Sequence, residues 1–188
     1  MEIKTETFTD PRDGKVYKTV KIGEQVWMAE NLNFECEGSV SYDNDPSNAE
    51  KYGRLYDWET AMKVCPPGWH LPSKEEWVEL VDFAGGEYVA GEKLKATSGW
   101  NEFCNNGNNG TDNYGFSALP GGYYCWDGNF HDVGDDGEWW SADEHEDFSD
   151  CAYPLTFILE IAELSGCSIK SNLYSVRCIQ DKASSPQE

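Results

Sequence analysis

Positive charge is scarce in this chain. Lys and Arg number 14 against 35 Asp and Glu, so its 188 residues carry a formal net charge of -21 at pH 7. That balance repels phosphate backbones and anionic lipid, which argues against nucleic-acid binding and electrostatic membrane docking. Long apolar runs are also missing. No stretch approaches the roughly 18 consecutive apolar residues of a spanning helix, so the chain reads as a soluble domain. Met1-Glu2-Ile3-Lys4 does not begin an apolar signal-peptide core, and a leader removed from an exported protein is the expectation. Histidine occurs three times, at His70, His131 and His145, and there is no Gly-x-Ser-x-Gly elbow, which leaves little for serine-type catalysis. An Asp-x-Asp-x-Asp-Gly calcium loop is absent as well. Glycoside hydrolysis needs paired carboxylates, but with 35 acids any pair is uninformative.

What is abundant points the other way. Aromatic residues reach 14%, including 8 Trp and 10 Tyr, among many Gly, Asn, Asp and Ser, which favours a loop-rich globule over a helical bundle. Seven cysteines stand dispersed at Cys36, Cys65, Cys104, Cys125, Cys151, Cys167 and Cys178, with no CxxC and no zinc-knuckle spacing. Dispersed cysteines in such a chain read as disulfides of an oxidising compartment, with one left over. The alternative, seven reduced thiols acting as small buried hydrophobes, stays open at this level.

The chain divides into a polar leading segment over residues 1–9, one domain over 10–181 and a polar tail over 182–188. Asp10-Pro11-Arg12-Asp13-Gly14 is a turn, followed by two strands between Lys15 and Leu32, with Val16, Val20 and Ile22 on one face of the first. Residues 33–51 read as loop. Leu55, Trp58, Ala61 and Met62 predict a short amphipathic helix that stops at Cys65-Pro66-Pro67. Ser73 with Glu76 is a capping box for a second helix, carried by Trp77, Leu80, Val81 and Ala84 and ended by Gly85-Gly86. Short apolar-aromatic strands follow, over 114–119, 122–126, 138–141, 153–164 and 174–179. Two early helices and late antiparallel strands make an α+β arrangement.

Several phrases stand in a specific order: Trp27-Met28-Ala29-Glu30-Asn31-Leu32, Tyr52-Gly53-Arg54-Leu55-Tyr56, Cys65-Pro66-Pro67-Gly68-Trp69-His70-Leu71-Pro72, Asn113-Tyr114-Gly115-Phe116-Ser117-Ala118-Leu119-Pro120-Gly121-Gly122, Trp139-Trp140-Ser141 and Tyr174-Ser175-Val176-Arg177-Cys178. The string resembles the Fibrobacter succinogenes major paralogous domain, a family of bacterial secreted and surface proteins related to C-type-lectin-like and formylglycine-generating-enzyme-like domains. The resemblance implies a C-type-lectin-like fold, two helices packed on antiparallel strands with long irregular loops. It further implies links Cys65–Cys178 and Cys151–Cys167. Cys104–Cys125 then becomes the third pair and Cys36 stays single. His70 is expected to serve packing. The copper-binding cysteine pair of the formylglycine-generating relatives is missing, since Cys178 stands alone near the C-terminus.

The candidate site falls where cations are absent. No Lys or Arg occurs from Ala96 to Ile169, a span holding 14 Asp and Glu. Asp127, Asn129, Asp132, Asp135 and Asp136 are candidate calcium ligands, because calcium takes about 6–8 oxygen ligands from such loops; a transition metal at His131 or His145 is the alternative, and a solvated acidic surface the plain one. Tyr124, Trp126, Phe130, His131, Asp143, Glu144 and His145 are the candidate ligand-binding residues, since exposed aromatics stack on sugars and anchor proteins. Trp27, Trp58, Trp69, Trp77, Trp139 and Trp140 are expected in the core, and Trp126 outside it. The reading is a non-catalytic extracytoplasmic module that binds a protein or a glycan. A self-assembling surface domain, or an oxidase- or hydrolase-like enzyme, is the alternative.

Overall fold

The computed structural model describes residues 3–102, 108–164 and 166–182, and is mixed α+β. In chain order the strands are β1 (Thr5–Thr9), β2 (Val16–Ile22), β3 (Gln25–Met28), β4 (Ser39–Val40), β5 (Leu55–Tyr56), β6 (Trp69–His70), β7 (Tyr123–Tyr124), β8 (Phe130–His131), β9 (Gly137–Glu144), β10 (Cys151–Ile158), β11 (Ile161–Glu163), β12 (Ser168–Ile169), β13 (Tyr174–Ser175) and β14 (Ile179–Gln180). The helices are α1 (Pro46–Tyr52), α2 (Trp58–Val64), α3 (Lys74–Ala84) and α4 (Glu87–Leu94). One sheet runs β1-β2-β3-β14-β6 and a second β11-β10-β9-β13-β5-β4, with β12 against β10 and β7-β8 a separate hairpin. Chain ends meet in the first sheet, where β14 pairs with both β3 and β6.

Alternation along the strands builds two cores from adjacent residues, because successive side chains leave a strand on opposite faces. Trp27 enters the first with Val20, Ile22, Trp77, Phe116 and Trp139; Met28 enters the second with Tyr17, Tyr56, Trp58 and Trp140. Trp139 and Trp140 split between the two cores in the same way. A buried indole N–H needs an acceptor. Trp140 Nε1 donates to the Tyr56 carbonyl at 2.8 Å, Trp58 Nε1 to that of Ser141 at 2.8 Å and Trp100 Nε1 to that of Ala118 at 3.0 Å. The six tryptophans expected in the core are buried and Trp126 is 70% exposed, as the sequence reading expects, and Trp100, for which it made no assignment, is buried as well.

The capping box also holds. Ser73 accepts from Glu76 N, the Glu76 carboxylate accepts from Ser73 N, and α3 ends at left-handed Gly85. Other expectations need correction. The leading segment is an edge strand, because Thr5–Thr9 pairs along its length with β2 while its side chains stay largely in water. Val16 is exposed, since the buried residues of β2 pass from Tyr17 and Thr19 to Val20 and Ile22. The segment 33–51 contains β4 and α1, the helix started by Asp45 as N-cap and Pro46 in its first turn. Leu55 belongs to a strand, and the helix after it begins only at Trp58, capped by the Asp57 side chain at Thr60 N. Of the strand expected over 114–119, only a bridge from Ala118 to Lys95 forms. Helix α4 adds a wedge: a Cβ on Gly91 would sit 2.5 Å from the Glu160 carbonyl oxygen in the β10–β11 turn.

Two disulfides close the fold, Cys65–Cys178 and Cys151–Cys167. Such bonds persist in oxidising compartments. No helix among the described residues is long and apolar enough to cross a membrane. The expected Cys104–Cys125 pair lies outside the described residues at Cys104, as do residues 183–188 of the tail.

His70 does more than pack. Its Nδ1 lies 2.7 Å from Asp181 and its Nε2 3.1 Å from Glu76. Partial burial favours the neutral ring, but these hydrogen bonds and charges outweigh it and raise the His70 pKa. A raised histidine pKa stabilises the fold fully below about 6.5, and the contribution fades as pH climbs through the folded-state value. An imidazole proton titration by NMR is therefore expected to place the His70 midpoint above that of a free histidine. Asp181→Asn is expected to bring it down; a midpoint unmoved by that change refutes the pairing.

Candidate functional site: the β7–β8 hairpin

The hairpin is a short acidic loop made rigid by its own hydrogen bonds. Cys125 N donates to the Asn129 carbonyl at 2.9 Å, and Gly128 N to that of Cys125 at 3.0 Å. Asp127 Oδ1 accepts from Asn129 N at 2.9 Å, an Asx turn. Gly128 takes φ +85° at the tip, a left-handed conformation that glycine adopts without a Cβ penalty. Below the tip, Tyr124 exchanges two backbone bonds with Leu173, and Trp126 N donates to Asn172 Oδ1 at 3.0 Å. The loop before β13 therefore splints the hairpin from one side. Phe130 braces the other, with ring centroids 5.0 Å from Tyr42 and 4.9 Å from Tyr124. The exposed indole of Trp126 stands on this splinted tip.

His131 is oriented twice. Its ring stacks on Tyr123 at 5.4 Å, and Nε2 lies 3.1–3.2 Å from both Asp127 oxygens. The Asn129 backbone N–H above all holds the Asp127 carboxyl below the usual carboxylate range; burial opposes it, and this histidine adds to the lowering. Donor atoms of Cys125, Asp127 and His131 lie within 4.8 Å of one another, and no other set of three such residues does so among the described residues. A thiol, an imidazole and a carboxylate together are the donor chemistry of zinc or copper rather than calcium, which prefers oxygen alone.

Among the described residues, no three of the four candidate calcium aspartates bring carboxylate oxygens within 4.8 Å of one another. Asp127 and Asn129 serve the turn. Asp135 accepts from Asn101 Nδ2 at 3.2 Å, and the Asp132 carbonyl accepts from Asp135 N and Asp136 N. Asp136 faces inward instead, where burial and the charges of Asp132 and Asp135 push its pKa up to about 6. Its neighbour there is Glu138 on β9, missing from the sequence reading. Burial first, and then Asp136, push the Glu138 pKa up to about 8, although a Tyr174 hydrogen bond pulls the other way. One buried Glu138 oxygen, Oε2, has no hydrogen-bond partner. A signal existed in the sequence: Glu138 is the lone acid inside the apolar run Gly137–Ser141.

The second acidic stretch is absorbed by the scaffold. Asp143 accepts from Lys74 N at 2.6 Å at the start of α3, where a helix N-terminus favours negative charge. Glu144 pairs with Lys170 at 3.0 Å. His145 stacks on Tyr153 at 4.7 Å, and its Nδ1 accepts from Asp147 N at 3.2 Å. No bond or ring contact among the described residues joins these three to the hairpin.

A family match covers residues 20–180 and carries the description Fibrobacter succinogenes major domain. The chain belongs to that family. No curated protein and no solved structure gives a significant match. In this Fibrobacter succinogenes major domain, the sequence phrases that carry the resemblance meet in space. Asn31 Oδ1 accepts from Trp139 Nε1 at 2.8 Å and from Arg177 Nε and Nη2 at 3.1 and 2.7 Å. Arg177 Nη1 donates to the Phe116 carbonyl, and Asn31 Nδ2 to that of Tyr52 at 2.8 Å. Four of the phrases thus meet at one buried amide and a fifth joins them through Arg177, which gives their shared order a physical reason.

Proposed function

We propose that this domain is a non-catalytic, extracytoplasmic binding or adhesion module of C-type-lectin-like architecture, with a protein or a glycan as its partner. The observation that carries the reading is Trp126, 70% exposed on a hairpin held by Asn172, Leu173 and the Tyr42–Phe130–Tyr124 ring cluster. A large rigid side chain presented this way loses little entropy on binding, and aromatic anchors dominate binding energy at recognition surfaces. Two disulfides support a place outside reducing compartments. The lectin-like reading is supported by the Cys65–Cys178 link, which ties the region between α2 and α3 to the last strands.

The test pairs wild type with Trp126→Ala on an array of neutral and acidic polysaccharides. Truncating a central aromatic anchor is expected to weaken binding about tenfold or more, while the unfolding midpoint moves little because most of the indole is already in water. Equal binding by the two proteins removes Trp126 from the site and refutes the proposal in its present form.

A further inference from the structure

A second feature shares no residue with the hairpin and stands independently of that reading. A cavity of about 360 Å³ opens between β2, the segment after β3, the end of α1 and the turn at Ser117. It is within the size range of small-ligand sites, at the lower end. Lys15, Lys18, Lys51 and Arg177 all line it, against two acids, Glu30 and Glu50. In a chain where acids outnumber bases 35 to 14, that is a local inversion of charge.

The acids do not neutralise the cations. Glu30 Oε2 is held by the backbone N of Lys18 at 2.7 Å, and Glu50 is exposed. Neither Lys18, Lys51 nor Arg177 has a carboxylate within ion-pair distance among the described residues, and Lys15 has only Asp13 at 3.7 Å. Lys51 Nζ donates to the Tyr52 hydroxyl at 2.6 Å, which keeps its ammonium beside the cavity wall. Arg177 is 1% exposed, and its hydrogen-bond acceptors, Asn31 Oδ1 and the Phe116 carbonyl, are neutral. Burial lowers its pKa to about 9, still above neutral pH. The charges of Asp112 and Glu30 offset that burial only in part and from beyond ion-pair distance, and an anion placed next to the guanidinium recovers more of the cost of withdrawing it from water. Arg177 supplies field from beneath the cavity, while the exposed Lys18 and Lys51 supply donors at its rim.

We propose that this cavity binds an oxyanion, the carboxylate or phosphate group of a sugar-sized ligand. Galacturonate, glucose 1-phosphate and inorganic phosphate, with galactose and glucose as uncharged controls, are titrated calorimetrically at constant ionic strength. The proteins are wild type and Lys18→Gln/Lys51→Gln, whose changes lie on exposed side chains and leave the packing alone. At least one anion is expected to give a saturable isotherm while both neutral sugars give none. Charge-assisted hydrogen bonds fix the expected loss in the double variant at about tenfold or more. Galacturonate alone marks a carboxylate ligand, glucose 1-phosphate alone a sugar phosphate, and inorganic phosphate on equal terms a free anion. Absence of saturable heat with all three anions, or equal affinity in the double variant, overturns the proposal. Loss of Trp126 is expected to leave these isotherms unchanged, so the two readings fail separately.

Discussion

Replacing Cys65 and Cys178 together with alanine is expected to lower the unfolding free energy by about 4–5 kcal/mol. The bond joins residues 113 apart in sequence, so it removes a large share of the unfolded chain's freedom. Cys151–Cys167 spans only 16 residues, and its removal is expected to cost about 3 kcal/mol on the same loop-entropy argument. The longer link also sits deeper. Cys178 is fully buried in the second core, between Arg177 and the β14 residue Ile179 that pairs with Trp27 and His70. A domain with a total stability of about 5–15 kcal/mol is left near its unfolding threshold by the first change and folded by the second. Urea unfolding of the two double variants, followed by tryptophan fluorescence, checks the order. A larger loss from the Cys151–Cys167 pair contradicts the loop argument.

Local chemistry was legible in the sequence wherever a few neighbouring residues decide it. The Ser73–Glu76 box and Gly85 fix α3 without help from the rest of the chain. Trp126 stood out because its neighbours Cys125, Asp127 and Gly128 have no apolar periodicity to bury it. What stayed hidden depends on distant partners. Thr5–Thr9 is polar enough to pass for a leader and becomes a strand only because β2 offers an unpaired edge. Helix α4 buries Ala90, Gly91 and Leu94, of which only the leucine carries a strong hydrophobic signal, and Gly91 fits closely against the β10–β11 turn. The same limit applies to the candidate sites. Asp127 and His131 lie four residues apart and meet across one hairpin. Lys18, Lys51 and Arg177 come from three separate elements, and no spacing announces them.

Glu138 carries the other large effect, and its sign is opposite to that of an ordinary salt-bridged acid. The folded-state pKa is raised to about 8 from 4.5, so between those values the folded protein holds a proton that the unfolded chain has released. Stability is then fully present below about pH 4.5 and is lost as pH rises through 8. Over that window the loss from this one group reaches about 5 kcal/mol at most. Asp136, raised to about 6, acts in the same direction over the lower part of the range. So does His70 above 6.5, whereas carboxyls with lowered values, such as Asp10, act in the opposite direction and only at acid pH. Lys95 lies near enough to Asp136 to moderate its rise, and its own value is lowered to about 8 by burial. The melting midpoint of wild type is therefore expected to fall steadily from pH 5 to pH 8.5. Glu138→Gln keeps the shape and the Tyr174 contact but cannot ionise, so most of the slope between pH 5 and 8 is expected to disappear, leaving the variant more stable than wild type at pH 8.5. Parallel slopes for the two proteins mean that Glu138 ionises near its ordinary value, with water reaching the oxygen that has no protein partner. A divalent cation placed beside Glu138 and Asp136 reverses the sign, because it binds the ionised pair and stabilises the fold more as pH rises. Melting curves with and without millimolar calcium at pH 8.5 thus separate a proton from a metal as the natural occupant of this acidic pair.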